Sequence, residues 1–245
     1  MTGPGAGPAS PAELCIVACA QAWRGDGAIL ASPMGLIPAL GARLARLTFA
    51  PDLLVTDGEA MLLDASDQVE GWLPYRDVLR LVATGRRHMM MGAAQLDRYG
   101  NQNISAIGDW ARPKAQLLGM RGAPGNTINH PVSYWVPRHS PRVFVERVDV
   151  VSGIGYDRAA RLGAPFHEIR LVVTDKAVLD FDTADHSMRL RSAHPGVSAD
   201  EVQALTGFPL VIPDDLAVTP EPTGAELALI RGRLDPAGLA GKELG

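Results

Sequence analysis

The stretch Met90-Met91-Gly92-Ala93-Ala94-Gln95-Leu96-Asp97-Arg98-Tyr99-Gly100-Asn101-Gln102-Asn103 is the most informative part of the sequence. An apolar run ends at a glycine and is followed by small residues and a group of amide side chains. Such a run is typical of a buried strand, and a glycine lets a ligand approach the backbone closely. The stretch therefore predicts a strand that leads into a binding turn, with Gly92, Gln95, Asn101 and Asn103 as candidate ligand-binding residues.

The same turn has a purely structural alternative. Asn and Asp side chains often hydrogen-bond their own backbone in turns. For an isolated Gly-Asn pair that explanation is favoured, whereas the spacing of the whole string favours a binding site.

Outside this stretch, short apolar runs alternate with segments of helical periodicity. Helices are predicted at 11–23, 33–46, 75–84, 198–206 and 223–234, and strands at 28–31, 53–55, 88–91, 104–107, 132–136 and 143–151. The alternation predicts an α/β fold, a mainly parallel sheet flanked by helices. After Gly163 three alternating segments (169–174, 177–181 and 187–191) predict additional antiparallel strands in the C-terminal part.

Length and composition favour one globular domain. The chain has 245 residues, of which 47% are hydrophobic, and no repeat or linker interrupts it. We expect a disordered leader at 1–11, a single domain at 12–236 and a flexible tail at 237–245. The net charge of -4 and the interspersed charges argue against nucleic acid.

Other patterns argue against a membrane, a disulfide framework and a metal site. No run approaches the ~20 apolar residues of a membrane span. Cys15 and Cys19 are the two cysteines of the chain, which fits a reducing cytoplasm. The six histidines show no zinc-type spacing. His130 and His139 flank a predicted strand and could border a pocket, but neither is assigned a role.

Two further segments are candidate sites. Thr56-Asp57-Gly58-Glu59 follows a predicted strand, and ligands of parallel sheets lie at the carboxyl ends of strands. Its alternative is a solvated turn. The glycine-rich segment 119–126 is predicted to be a loop that presents N–H groups, with Arg121, Gly122, Ala123 and Asn126 as candidates. Arg121 could meet a carboxylate or phosphate, or lie on the surface.

Several of these segments resemble the beta subunits of family I coenzyme A transferases. The first stretch is similar to their GGAxQVDxxGNxN signature, and 119–126 to their GxGGAxD loop. His139 to Asp149 resembles HxxRxFVxKVDF, and the segments His194 to Val197 and Thr206 to Phe208 resemble HPGVTxEEVxxxTGF. The likeness runs from about Leu14 to Asp235. It implies a CoA-transferase (NagB/RpiA-like) fold, an alpha subunit of similar fold and a shared active site.

The sequence departs from the transferases at one position. Their beta subunits carry a Glu-(Ser/Asn)-Gly motif whose glutamate forms a covalent glutamyl-CoA intermediate, and Thr56 stands in its place. Threonine is a poor nucleophile without an adjacent base. In the loop, Arg121 replaces a family glycine, and Gly125 lies near the place of the family's aspartate.

The resemblance therefore leaves three functions open. The missing glutamate favours the beta subunit of the steroid ring-cleaving CoA hydrolases of actinobacteria, in which the catalytic glutamate is expected in the alpha subunit. The alternative is a CoA transferase of the glutaconate or 3-oxoacid type. A non-catalytic scaffold subunit is the third, and the retained glycine and amide motifs argue against it. Either enzyme implies a CoA-thioester substrate, no separate cofactor, no metal and an α₂β₂ assembly.

Overall fold

The structure, a computed structural model, describes residues 7–84 and 86–244. Its helices are α1 (Pro11–Ala20), α2 (Leu36–Thr48), α3 (Tyr75–Thr84), α4 (Ala123–Asn129), α5 (Tyr156–Leu162), α6 (Ala199–Ala204) and α7 (Gly224–Leu229). Turns of 3-10 helix lie at Gln21–Trp23 and Leu239–Glu243, and a π-helical turn at Ile230–Leu234.

The strands of the main sheet are β1 (Leu30–Pro33), β2 (Leu54–Thr56), β3 (Met61–Leu63), β4 (Val69–Trp72), β5 (Arg87–Gly92), β10 (Pro131–Val136), β11 (Glu168–Thr174), β12 (Ala177–Asp180), β13 (Arg189–Ala193) and β14 (Ala217–Val218). Four short strands form two small hairpins: β6 (Gln95–Leu96) with β7 (Gln102–Asn103), and β8 (Ala106–Ile107) with β9 (Ala115–Gln116).

The main sheet has ten strands in the order β14-β13-β12-β11-β10-β5-β1-β2-β3-β4. The central strands β2, β1, β5, β10 and β11 are parallel, and β12 and β13 continue the sheet in antiparallel fashion. The predicted α/β fold with a mainly parallel sheet and antiparallel C-terminal strands is thereby confirmed. The antiparallel strands β3 and β4 extend the other edge and were not predicted.

Side chains of β5 alternate between two cores. Met90 packs in the core beneath α1 and α2, whereas Met89 and Met91 pack in the core on the opposite face, with Val132 and Tyr134. This follows from the period of two in an extended strand. The face of β5 that carries Met89 and Met91 is the face on which the candidate site lies.

Helix starts are fixed by short polar caps. Ser10 and Glu13 form a complete capping box at α1, and Thr223 and Glu226 form one at α7. At α6 a capping box is only half formed: the Glu201 N–H donates to Ser198 Oγ, but the Glu201 carboxylate pairs with Lys176.

Three predicted segments were wrong or shifted. No named strand lies at 143–151. Ser140 O accepts hydrogen bonds from Val143 N and Phe144 N in a turn, and Phe144 forms an isolated parallel bridge with Leu96. The segment 104–107 supplies only the two-residue strand β8. The loop predicted at 119–126 contains the start of α4, where proline at an early position is compatible with a helix.

The chain ends differ from prediction within their described part. Ser10 and Pro11 of the predicted leader start α1, and residues 1–6 lie outside the described residues. The predicted tail is docked: the Glu243 carboxylate accepts hydrogen bonds from Ile37 N at 2.7 Å and Trp135 Nε1 at 3.2 Å. The half-buried Glu243 carboxylate holds this segment against the domain, which the composition of the segment did not reveal.

Candidate functional site

A cavity of about 420 Å³ opens at the carboxyl ends of β2 and β5. This volume lies in the range of about 300–1,000 Å³ that is usual for small-molecule sites. Its walls are formed mainly by apolar side chains: Met34, Ala60, Tyr75, Val78, Leu79, Val82, Met89, Met91, Ala93, Ala94, Ile104, Leu117 and Leu118. The few polar side chains on the wall belong to Glu59, Arg87, Gln102, Arg121 and Asn126. An apolar cavity with few polar groups fits a ligand that has a carbocyclic body.

The candidate residues divide into two groups by position. Those that line the cavity are Gly58, Gly92, Arg121, Gly122, Ala123 and Asn126. Those that do not line it are Thr56, Asp57, Gln95, Asn101 and Asn103. The structure therefore joins the strand end after β2, the end of β5 and the glycine-rich loop at one cavity. Ligand contact by any of these residues stays a prediction.

Gly58 is required by the close approach of two strand ends. Its φ of 101° is one that side-chain-bearing residues rarely adopt, and an added Cβ would lie 2.4 Å from Pro33 O. Only glycine lets the turn after β2 pack against the end of β1.

Arg121 adopts a left-handed φ of 48° at the rim, where the resembling family has glycine. Its Nη2 donates to Glu59 Oε1 at 2.8 Å, and both side chains are largely exposed. An exposed pair of this kind contributes about 0–1 kcal/mol. It links two loops across the cavity edge without adding much stability.

Thr56 is buried beneath the cavity in a chain of hydroxyl groups. Its Oγ1 accepts from Gly58 N at 3.1 Å and lies 3.3 Å from Ser32 Oγ. The Arg87 Nε–H donates to the same Ser32 Oγ at 2.9 Å. The resemblance places the nucleophilic carboxylate of the transferases at position 56. This chain has a hydroxyl there, which is connected through Ser32 to the Arg87 guanidinium.

Arg87 is one of the polar residues of this wall that the sequence did not single out. It is 3% exposed, and within the described residues no carboxylate lies at ion-pair distance from it. Burial lowers the pKa of its guanidinium to about 10, so it stays a cation at neutral pH. No sequence motif marks Arg87. Arg86 precedes it, and the sequence does not show which of these two adjacent arginines faces the cavity.

Asp57 stabilises the turn after β2. Its Oδ1 accepts from the N–H groups of Glu59, Ala60 and Met61 at 2.9–3.1 Å. It does not line the cavity. The alternative of a solvated turn therefore describes Asp57, which is exposed.

The amide cluster stabilises the loop beyond β5. Asn103 Nδ2 donates to Gln95 Oε1 at 2.7 Å, and Gln95 Nε2 donates to Asp149 at 3.0 Å. Asn101 Nδ2 donates to both oxygens of Asp97. Burial raises the pKa of the Asp97 carboxyl, and these hydrogen bonds from Asn101 oppose the rise. These contacts are the structural function that the sequence left as an alternative.

One residue of the same motif reaches the wall. Gln102 is fully buried, lines the cavity, and donates from Nε2 to Gly92 O at 2.6 Å. This hydrogen bond holds the backbone of Gly92 in place at the end of β5. It was not among the candidate residues, although it lies between two that were.

The histidines are structural in their surroundings. His139 is buried between Thr174 and Thr206, and burial lowers its pKa to about 3. His130 is buried as well, and burial lowers its pKa. Neither lines the cavity.

His88 forms an Asp-His-Ser arrangement that the sequence did not indicate. Its Nδ1 lies 2.7 Å from Asp26 Oδ2, and its Nε2 lies 3.0 Å from Ser133 Oγ. Arg170 also pairs with Asp26. Because none of the three lines the cavity and His88 and Ser133 are fully buried, the arrangement connects strands in the core.

A larger cavity of about 910 Å³ lies over α1 and strands β11 to β13. Its charged side chains pair with one another: Arg189 with Asp180 and Asp182, and Arg170 with Glu168. It does not lie at the ends of the central parallel strands, and we do not assign it the ligand.

Neither a bilayer-crossing helix nor a metal-binding cluster occurs among the described residues. No helix there is long and apolar enough to cross a bilayer. No group of three or more His, Cys, Asp or Glu side chains in that part of the chain is arranged to hold a metal ion.

The fold and the cavity define a known class of protein. The family model described as coenzyme A transferase matches residues 79–205. The chain belongs to the coenzyme A transferase family.

Within this family the chain is similar both to a ring-cleaving hydrolase and to a transferase. The chain is 51% identical over 241 residues to the cholesterol ring-cleaving hydrolase IpdB subunit of Rhodococcus jostii (strain RHA1), which covers 95% of both chains. The crystal structure of Rhodococcus jostii RHA1 IpdAB superposes with a TM-score of 0.91 at 50% identity, covering 97% of this chain and 99% of that one. One of the subunits of the glutaconate CoA-transferase of Acidaminococcus fermentans is 30% identical over 240 residues, 86% of this chain and 87% of its own.

Proposed function

We propose that this chain is the beta subunit of a heteromeric hydrolase that opens a ring of a steroid-derived cyclic CoA thioester, by hydrolysis of a C–C bond, in cholesterol or steroid catabolism. The observation that carries the proposal is Thr56, which stands in the place of the transferase glutamate. Its hydroxyl is buried and hydrogen-bonded to Gly58 N, and no carboxylate among the described residues is hydrogen-bonded to it. Similarity to the cholesterol ring-cleaving hydrolase IpdB subunit supports the same function.

The cavity suits such a substrate. Apolar side chains, including those of α3 and β5, form most of its wall and can seat a carbocyclic ring. Hydrolytic opening needs an activated water and donors that stabilise the negative charge on a carbonyl oxygen. We assign the base that activates water to the partner subunit. Coenzyme A enters as part of the substrate, and the proposal includes no other cofactor.

The proposal includes an alpha subunit of similar fold in an α₂β₂ complex. Large apolar side chains are exposed beside the cavity and on the edge strand β4, including Tyr75 at 70%, Leu118 at 74% and Trp72 at 63%. Exposed apolar groups of this size commonly mark interaction surfaces. The two buried free cysteines fit a reducing cytoplasm, in which we place the complex.

The alternative is a CoA transferase of the glutaconate or 3-oxoacid type. The glutaconate enzyme's subunit is similar over most of both chains, which favours this alternative at the level of the fold. It needs a carboxylate at the strand end after β2. Asp57 is the adjacent acid, and its Oδ1 is occupied by three backbone N–H groups.

Co-expression with the partner subunit tests the proposal. The purified complex is incubated with a cyclic steroid-derived CoA thioester, with and without added acetate, and the products are separated by mass. We expect a ring-opened CoA thioester that has gained one water and no acetyl-CoA. Acetyl-CoA formed as readily as the ring-opened product contradicts the proposal, as does a fully active lone monomer in light scattering.

A further inference from the structure

Arg87 has donor groups that the chain itself does not satisfy. A guanidinium carries five N–H donors. Within the described residues, Nε donates to Ser32 Oγ and neither Nη atom has a hydrogen-bond acceptor. The residue lines the cavity at the strand ends, so its terminal nitrogens are available to a ligand there.

An unpaired cation in this position is unfavourable for the protein alone. Arg87 is 3% exposed, and its neighbours on the wall include Met89, Val82 and Met91. Buried charges in proteins are normally paired or hydrogen-bonded, because desolvation costs several kcal/mol per ion. Other part-buried arginines of this chain, such as Arg46 and Arg189, do pair with aspartates.

The partner that Arg87 lacks is absent because of the residue at position 56. Thr56 and Arg87 both contact Ser32 Oγ, so a carboxylate at position 56 would lie next to the guanidinium. The hydroxyl that stands there carries no charge. The cavity therefore has a cationic site that an incoming anion can fill.

We infer that Arg87 is the anion-binding residue of the cavity and that the acyl part of the CoA thioester carries a free carboxylate, which the Arg87 guanidinium binds. The inference rests on the proposed function, since it takes the cavity as the acyl site. A planar guanidinium pairs with a carboxylate through two parallel N–H···O bonds, and it selects for this group over a methyl group. Asn126, 2% exposed on the same wall, has a side-chain oxygen without a hydrogen-bond partner among the described residues, and it can accept from a neighbouring hydroxyl of the ligand.

The test compares two thioesters that differ at one end. Adipyl-CoA ends in a carboxylate and hexanoyl-CoA in a methyl group, and their acyl chains have the same number of carbons. Dissociation constants are measured by calorimetry on the complex with its partner subunit. A charge-assisted hydrogen bond contributes about 1.5–3 kcal/mol, so we expect the parent complex to bind adipyl-CoA roughly 10- to 100-fold more tightly.

Variants at Arg87 locate the effect. Arg87→Met keeps the volume and removes the charge, and it should bind the two thioesters equally. Arg87→Lys should keep part of the preference. Arg161→Met on α5 is the matched control, because Arg161 is exposed and does not line the cavity, and it should bind like the parent.

Stability separates a ligand-binding arginine from a structural one. Because Arg87 has no carboxylate partner among the described residues, Arg87→Met should melt at or above the temperature of the parent complex. A lower melting temperature with unchanged discrimination would mean that a carboxylate of the partner subunit fills the site, and it would overturn the inference. Equal binding of both thioesters by the parent complex would also overturn it.

A further arm excludes the phosphates of coenzyme A. Free CoA should bind parent and Arg87→Met complexes equally, and a weaker affinity in the variant would assign Arg87 to a phosphate and overturn the inference. Ring opening with a normal turnover in a complex that shows no carboxylate preference would refute the inference alone. Transfer of CoA to acetate would instead refute the proposed function.

Discussion

Replacement of Thr56 by glutamate restores the transferase carboxylate and tests the arrangement beneath the cavity. Thr56 is 1% exposed, and its Oγ1 accepts from Gly58 N. A longer side chain overpacks the site, which costs about 1–3 kcal/mol, and the loss of the hydroxyl can leave the Gly58 N–H unsatisfied at about 1–3 kcal/mol. Thr56→Gln has the same volume and no charge, so it is the matched control.

The difference between the two variants reports on Arg87. A carboxylate at position 56 lies beside a guanidinium that has no other carboxylate among the described residues, and a charged hydrogen bond contributes about 1.5–3 kcal/mol before desolvation. We expect Thr56→Glu to be more stable than Thr56→Gln by about 1–2 kcal/mol. In an Arg87→Met background the order should reverse, because the glutamate would be a buried unpaired charge.

Urea unfolding of the complex at one fixed protein concentration measures these free energies, since stability of an oligomer depends on concentration. Turnover of the cyclic thioester at limiting substrate concentration should fall in Thr56→Glu, by roughly 10- to 100-fold, if the new carboxylate occupies the Arg87 donors that bind the substrate carboxylate. Equal stability of the two variants would refute the placement of Arg87. Faster ring opening by Thr56→Glu would refute the hydrolase assignment.

Three further predictions concern the turn at Gly58, the buried His139 and the absence of a covalent adduct with the acyl group or CoA. Gly58→Ala should lower the free energy of unfolding in urea by about 2–5 kcal/mol, because the added Cβ would lie 2.4 Å from Pro33 O. Gly163 also has a positive φ but has open space around it, so the control Gly163→Ala should lower this free energy by only about 1–2 kcal/mol. Because burial holds the pKa of His139 at about 3, below its unfolded value of about 6.5, its contribution to stability is complete above pH ~6.5 and is lost as pH falls toward 3. His139→Asn should therefore reduce the slope of the free energy of unfolding against pH by about 1.4 kcal/mol per pH unit in this window. Urea titrations at pH 7, 6 and 5 measure this slope, and an unchanged slope would contradict the prediction. Intact mass after incubation with an acyl-CoA should show no adduct on this chain, and an adduct would reveal a displaced nucleophile.

The sequence by itself predicted the fold class, and it showed that position 56 has a threonine where the resemblance to the transferases predicts a glutamate. Apolar runs such as that ending at Met91 alternate with helical segments, and this periodicity is a local property that survives without knowledge of contacts. The substitution of Thr56 for the glutamate is also visible in sequence order. Gly58 could be predicted as a turn residue, since its conformation is set by its own backbone.

The edges of the sheet and the chain end could not be predicted in this way. The run around Val143 has the alternation of a strand, but its pairing amounts to an isolated parallel bridge between Phe144 and Leu96. The last residues have the composition of a tail, yet Glu243 is bound by Trp135 from 108 positions away. Both outcomes depend on partners distant in the sequence.

Only the tertiary structure decided which polar groups face the cavity. Gln95 and Asn103 bond each other within the loop, whereas Gln102 between them lies on the cavity wall. Arg86 is exposed and Arg87 is buried, although the two are adjacent and alike. The reason is that β5 lies between β1 and β10, so that neighbouring strands cover both edges of β5 and its period of two sends one arginine inward. Whether a charged side chain is buried, and whether a carboxylate lies beside it, depends on contacts between strands that are distant in the sequence, and sequence order carries no information about those contacts.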